Sequence, residues 1–447
     1  MSLIKNYADL EKSEDIAPTD VIENQKSECR LYPRRWLILI LFVFYSMSNA
    51  MQWIQYSIIS DVITKYYNVP SFYVDWTSMI YMVTYIPLIF PGSWLLNKLG
   101  IRISVLLGAV GTCIGAWVKV FSVAPDKFYV TFIGQTIVAI SQTFVLSLPA
   151  RVAAVWFGQN EVSSACSIGV FGNQFGIAVG FVVPPILIKW GNTEEDGLRL
   201  IYYGVAVITT VILLLICLFF EDKPDLPPSP AQAAQKCSDT QNDFGGSIRR
   251  LLMNKGYVLL LLSYGINVGV FYAISTLLNT VILHYFPTGQ EDAGIIGLVI
   301  VIVGMVGSVC CGYILDKTRL FKEITLIVYA SSVIGMLAFT FTLGRGQIYI
   351  VYITASLLGF FMTGYLPVGF ELASELTYPE PEGTSSGLIN AGAQVFGIAF
   401  TIMYGLLIPT VGEFWSNICL IFMLIAGTLL TAFIPSDLRR QLACQAC

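Results

Sequence analysis

Twelve apolar segments recur along the chain, centred near residues 47, 85, 111, 141, 176, 210, 269, 304, 333, 361, 397 and 425. Each is close to the length that crosses a bilayer, about 20 residues at a rise of 1.5 Å per residue. Backbone N–H and C=O groups in hydrocarbon must be satisfied internally, which leaves only helices and closed barrels. Segments this long and apolar predict helices. The sequence is 55% hydrophobic and only 12% charged, with a mean hydropathy of +0.71, whereas soluble domains carry about 25% charged residues. The expected fold class is an all-α membrane protein with twelve transmembrane helices.

Lys and Arg set the orientation of such a chain, because cytoplasmic loops retain them. With both termini inside, eighteen fall on the cytoplasmic side against five outside, and Lys119 and Arg151 lie within segments. The first 33 residues are polar and mixed in charge, with no apolar core, so no cleaved signal peptide is expected. Of the ten cysteines, Cys29, Cys237, Cys444 and Cys447 are cytoplasmic and the other six fall in segments. None is placed in an outer loop, so no structural disulfide is expected. The outer loops also carry no Asn-x-Ser/Thr sequon.

The stretch from Glu221 to Gly246 is Pro-rich and polar and divides the segments six and six. It reads as a flexible linker. The chain is accordingly divided into a tail (1–33), a six-helix bundle (34–220), a linker (221–250), a second bundle (251–435) and a tail (436–447). The bundles align to each other at an offset of about 220 residues: Leu148-Pro149 with Leu366-Pro367, and Glu161…Phe175-Gly-Ile-Ala178 with Glu382…Phe396-Gly-Ile-Ala399. Parallel six-helix repeats of this kind resemble the major facilitator superfamily. The loop after segment 8, Gly312-Tyr-Ile-Leu-Asp316-Lys317-Thr-Arg319, resembles that superfamily's gate signature. So does Ser93-Trp-Leu-Leu-Asn97-Lys98-Leu-Gly100-Ile-Arg102 after segment 2, with Asn97 in place of the acid. Candidate gating residues are Asp316, Lys317, Asn97, Arg102 and Glu371.

Asn49, Gln52, Trp53 and Tyr56 in segment 1 lie at i, i+3, i+4 and i+7, one helical face. A polar and aromatic stripe in lipid is costly unless it faces protein or a water-filled cavity. The repeat offset places Trp53 within one residue of Tyr272 in segment 7, where Ser275, Thr276 and Asn279 complete a matching face. Segments 5 and 11 add Asn173, Gln174, Asn390 and Gln394, with Gly169, Gly172, Gly176, Gly180, Gly387, Gly392 and Gly397 expected at close helix crossings. Two opposed rings with amides and no evident carboxylate suit a quaternary ammonium, each ring contributing about 0.5–2 kcal/mol. Packing of aromatics and amides between helices is the competing reading.

Several runs carry a closer resemblance: Gln52-Trp-Ile-Gln-Tyr-Ser57, Phe171-Gly-Asn-Gln-Phe-Gly176, Ser275-Thr-Leu-Leu-Asn279 and Gly359-Phe-Phe-Met-Thr-Gly-Tyr-Leu-Pro367. So do Leu376-Thr-Tyr-Pro379, Ser385-Ser-Gly-Leu388 and Asp437-Leu-Arg-Arg440. Across roughly residues 33–440 the chain is similar to the feline leukaemia virus subgroup C receptor-related family. That resemblance implies transport of choline and ethanolamine through a cage at the positions of Trp53 and Tyr272. It also implies ligand contacts from Gln174 and Gln394. The family is linked to haem as well.

The expectation is a facilitative uniporter working by alternating access as a monomer in a lipid bilayer, the plasma membrane first, with mitochondrial or endoplasmic reticulum membranes as alternatives. The substrate site comprises Trp53, Tyr272, Gln174, Gln394, Asn49, Tyr56 and Asn279. No cofactor, metal or nucleic acid is expected, and a single histidine with no nucleotide loop argues against an enzyme. Haem export stays open, although a dianion wants cations and axial ligands. The interior offers only Lys119 and Arg151, with His284 read as a loop residue. Proton-coupled symport stays open through Asp75, Glu371 and Glu375. A non-transporting receptor is disfavoured by short outer loops.

Overall fold

The computed structural model describes residues 30–435 apart from 147, 159, 160, 227, 229–243, 379 and 381. Among these, twelve helices are long and apolar enough to cross a membrane. They are α1 (Arg34–Tyr67), α2 (Ser71–Leu96), α3 (Lys98–Val120), α4 (Phe128–Leu146), α5 (Ser164–Trp190) and α6 (Glu194–Phe219) in the first half. The second half has α7 (Lys255–Tyr285), α8 (Gln290–Leu315), α9 (Phe321–Leu343), α10 (Ile348–Thr377), α11 (Thr384–Val411) and α12 (Glu413–Ala432). The tails lie outside the described residues, as does most of the linker.

α1 is not one continuous helix. Its first part runs Arg34–Ile54, a 3-10 turn follows at Ser57–Ile59, and a second helix covers Ser60–Tyr67. α2 and α3 form one rod interrupted at Gly100, whose φ of 82° is open to glycine but strained for other residues. The break is capped from the end of α6: Asp222 Oδ1 accepts the Arg102 backbone N–H at 3.0 Å. A short amphipathic helix, Phe244–Met253, precedes α7. Its Arg250 and Ser247 both donate to Glu380 in the α10–α11 connection, and Arg250 above all holds that carboxyl below the usual range.

The two halves repeat one packing scheme. α1 lies along α5 and α7 along α11, while α5 meets α8 and α2 meets α11 across the divide. Small residues set these crossings, because without a hydrophobic drive between helices close van der Waals contact does the work. Gly172, Gly176 and Gly180 seat α5 against Val43, Met47 and Met51 of α1; a Cβ on Gly176 would stand 2.5 Å from the Met47 carbonyl oxygen. In the second half both helices supply such glycines: Gly265 and Gly269 of α7 receive Phe396 of α11, while Gly392 and Gly397 of α11 meet Leu261 and Tyr272 of α7. Gly387, expected at a crossing, has nothing within 4 Å of where its Cβ would be.

Candidate functional site

The helical part of α1 ends at Ile54, one residue past Trp53. Carbonyls in the last turn of a helix lose their i+4 donors, and in a membrane those must be replaced. Two replacements come from neighbouring helices. Gln135 Nε2 on α4 donates to the Gln52 carbonyl at 2.7 Å, and Ser78 Oγ on α2 donates to the Trp53 carbonyl at 3.1 Å. Trp53, 4% exposed, is thus held by its own backbone at a fixed break.

From there its indole reaches across the divide to Tyr272 of α7. The ring centroids are 5.5 Å apart with an interplanar angle of 73°. Two rings set edge to face form a corner bounded by both π faces. An ammonium lies within about 6 Å of a ring centroid when it interacts with that ring. An ammonium lying against both faces would meet one ring from each half. Gln394 of α11, also buried, donates its Nε2 to the Tyr272 hydroxyl at 3.3 Å. Gln174 of α5 keeps its Oε1 buried with no hydrogen-bond partner. The structure therefore brings Trp53, Tyr272 and Gln394 together and leaves Gln174 with a free acceptor. The buried carboxylates among the described residues, Asp75, Glu375 and Glu413, all lie near helix ends.

Three residues predicted for the same site are placed elsewhere. Asn49 donates to Thr112 Oγ1 at 3.0 Å and to the Val138 carbonyl at 3.2 Å, tying α1 to α3 and α4 inside the first half. Tyr56 follows the helix break, packs on Tyr202, and has its ring 5.5 Å from Lys119 Nζ, so one π face already holds the protein's own amine. Asn279 donates to Ser60 Oγ at 3.2 Å and Asp61 Oδ1 at 2.9 Å, at the end of the bundle away from the termini. At about 100° per residue, Gln52 and Trp53 point about 100° apart, so one stripe serves two neighbours. Asn173 likewise bonds Ser46 of α1 at 3.3 Å.

The expected gating residues divide similarly. Arg102 is bonded within its own half, its backbone to Asp222 and its Nη2 to the Cys217 carbonyl at 3.4 Å. Lys317 and Glu371 are exposed, and the side chains of Asn97 and Asp316 lie outside the described residues. His284 is not on a loop: it occupies the last turn of α7, with Nδ1 3.0 Å from Glu413 Oε1. Lys119 is 1% exposed and donates to two amide oxygens, so its amine is not free for a haem propionate.

Residues 38–402 match the profile of the Major Facilitator Superfamily. The choline/ethanolamine transporter flvcr2a of Danio rerio is 52% identical over 438 residues, 96% of this chain and 93% of that protein. The choline/ethanolamine transporter FLVCR2 of Homo sapiens is 49% identical over 416 residues, 92% of this chain and 79% of its own. The chain belongs to the feline leukaemia virus subgroup C receptor-related family. It is a multi-pass membrane transporter and not an enzyme. A bacterial Spinster homologue in an inward-facing, unoccupied conformation shares the fold, with a TM-score of 0.71 at 12% identity over 92% of this chain and 99% of that one.

For a transporter, the polar ties across the divide carry meaning. At the end away from the termini, Asp61 receives Asn279 and, at 3.2 Å, Gln290 Nε2, while Lys189 on α5 pairs with Glu291 on α8 at 2.6 Å. This end is closed by contacts that join the halves. Asp61 and Gln290 were not singled out from the sequence. Gln135 was also missed. Its signal was present, since an amide in the middle of an apolar segment needs a polar partner.

Proposed function

We propose that this chain carries choline, and the related ethanolamine, through the bilayer as a monomeric uniporter by alternating access. The observation that carries this reading is the corner of two π faces formed by Trp53 and Tyr272, one ring from each half. A cation held on both rings bridges the two halves at the midpoint. Asp61–Asn279, Asp61–Gln290 and Lys189–Glu291 form the gate that must part for the opposite end to open. With both termini cytoplasmic, as the distribution of basic residues favours, that gate faces outward, at the plasma membrane.

A neutral site releases a cation more readily than a carboxylate does, and the membrane potential supplies the drive. One charge moving through 100 mV gains about 2.3 kcal/mol, roughly fifty-fold accumulation. In proteoliposomes, labelled choline influx is expected to follow an imposed potential and its own gradient and to ignore proton and sodium gradients. Uphill uptake driven by either ion at zero potential overturns uniport and makes Asp75 and Glu371 the first coupling residues to test.

The amides give a finer prediction. A neutral hydrogen bond has a net worth of about 0.5–1.5 kcal/mol, so Gln174→Ala and Gln394→Ala should each weaken choline affinity about two- to twelve-fold. Gln394 acts through the tyrosine hydroxyl, so Tyr272→Phe should reproduce its loss without adding to it. Gln174, with a free acceptor, is expected to couple instead to the hydroxyl of the ligand. A cycle pairing Gln174→Ala with a choline analogue lacking the hydroxyl measures that coupling. Simple additivity shows Gln174 to be a helix-packing residue.

A further inference from the structure

Lys119 is the one lysine buried among the described residues, at 1% exposure. Its Nζ donates to Gln52 Oε1 at 2.7 Å and Gln135 Oε1 at 2.8 Å, and lies 5.5 Å from the Tyr56 ring centroid. Both glutamines thus turn their carbonyl oxygens towards the amine and their NH2 groups away. For Gln52 the NH2 goes to the Ser48 carbonyl at 3.0 Å. For Gln135 it goes to the Gln52 carbonyl at 2.7 Å and the Thr77 carbonyl at 3.2 Å. The Gln135 amide therefore bridges α1 and α2 where α1 breaks, in the only sense that works. Flipped, it would set an amide oxygen against two backbone carbonyls. Lys119 removes that alternative, because an amine donating to the oxygen requires the NH2 to point the other way.

We infer that Lys119 is a positioning residue for transport: through Gln135 and Gln52 it locks the break in α1 and so fixes the angle at which the Trp53 indole meets Tyr272. The chain of contacts is continuous, from Nζ to the Gln135 amide, to the Gln52 carbonyl, to the next residue, Trp53. Ser78 holds the Trp53 carbonyl from the α2 side, and its hydroxyl is itself 2.6 Å from Ser57 Oγ in the turn beyond the break. Lys119 touches neither ring of the corner. It reaches the substrate only by setting where Trp53 sits, which makes affinity rather than turnover the quantity it controls.

The inference rests on the choline reading only for the ligand used as a probe, so its test has a ligand-free arm. In that arm, Trp53 emission is taken as the difference between each purified transporter and its Trp53→Phe counterpart. Lys119→Met and Gln135→Met, both close in volume to the native side chains, are each expected to shift that difference spectrum to longer wavelength. In the ligand arm, choline uptake by Lys119→Met should show KM raised on the order of tenfold, the scale of a buried hydrogen bond lost. Turnover per folded transporter should be unchanged. In a Trp53→Phe background, Lys119→Met should change affinity no further. An unchanged Trp53 spectrum in Gln135→Met and Lys119→Met, or losses that simply multiply with Trp53→Phe, overturns the inference. If Lys119→Met does not fold, Gln135→Met decides it alone. If the parent protein neither binds nor moves choline or ethanolamine, the substrate reading falls and the emission arm still decides the role of Lys119.

Discussion

Replacing either Trp53 or Tyr272 by alanine is expected to abolish most choline uptake while the transporter still reaches the membrane and remains folded. Each ring supplies about 0.5–2 kcal/mol to a desolvated ammonium, and their mutual edge-to-face contact adds about 0.5–1.5 kcal/mol. Losing one ring removes its own share and collapses the corner. The combined loss is on the order of 1–3 kcal/mol, roughly a 5- to 150-fold weaker affinity. The ring contact lies between the halves. Labelled choline uptake normalised to surface protein is the measurement. Tyr272→Phe serves as the internal control, since it keeps the π face and forfeits only the hydrogen bond from Gln394. Uptake close to that of the parent in either alanine variant places the cation site elsewhere. A phenylalanine variant as poor as the alanine one would make the hydroxyl, not the ring, the recognition element.

Gly176→Leu is expected to prevent α1 and α5 from packing and to abolish folded transporter. A Cβ at that position would be 2.5 Å from the Met47 carbonyl oxygen, 2.8 Å from its Cα and 3.0 Å from Ala50 Cβ. Backbone atoms cannot turn aside as a flexible side chain can, so the helices must separate. Even alanine overpacks this seam, at a cost of about 1–3 kcal/mol. The leucine side chain has no route out, since Gly172 and Gly180 press on the same helix one turn away on either side, at Val43 and Met51. Gly387→Ala is the control: it is also a glycine of a spanning helix, in the first turn of α11, and nothing lies within 4 Å of its Cβ. Size-exclusion profiles of fluorescently tagged variants distinguish the cases. A monodisperse Gly176→Leu peak at the level of the parent would show that the seam is loose, and a collapsed Gly387→Ala would show that helix α11 needs glycine for another reason.

These two predictions differ in how visible they were before the chain was folded. The repeat offset paired Trp53 with Tyr272 because two bundles with the same packing put equivalent positions opposite each other about their common axis. The glycines at 172, 176 and 180 were legible for a related reason, since small residues four apart mark a stripe where another helix can approach. Gly387 belongs to the same pattern and meets nothing, whereas Gly392 and Gly397 of the same helix meet Leu261 and Tyr272 of α7. Spacing identifies a seam but not which partner supplies the space.

The sequence by itself determined the number of spans, the two repeats and the presence of a polar and aromatic stripe in the first span. Length in hydrocarbon, backbone satisfaction and the cost of polar side chains in lipid act locally along the chain. They can therefore be evaluated from residue order. Only the tertiary structure decided how the polar stripe of α1 is shared. Trp53, on one edge, crosses to Tyr272; Gln52, on the other, turns to Lys119 and Gln135; Asn49 goes to Thr112 and Val138. Asn279 left the predicted site for the closed end because Asp61, beyond the break in α1, reaches it there. Helical periodicity states which residues share a face, and a face of this width meets two neighbours at once. The division between them is made by the donors and acceptors that the neighbouring helices bring.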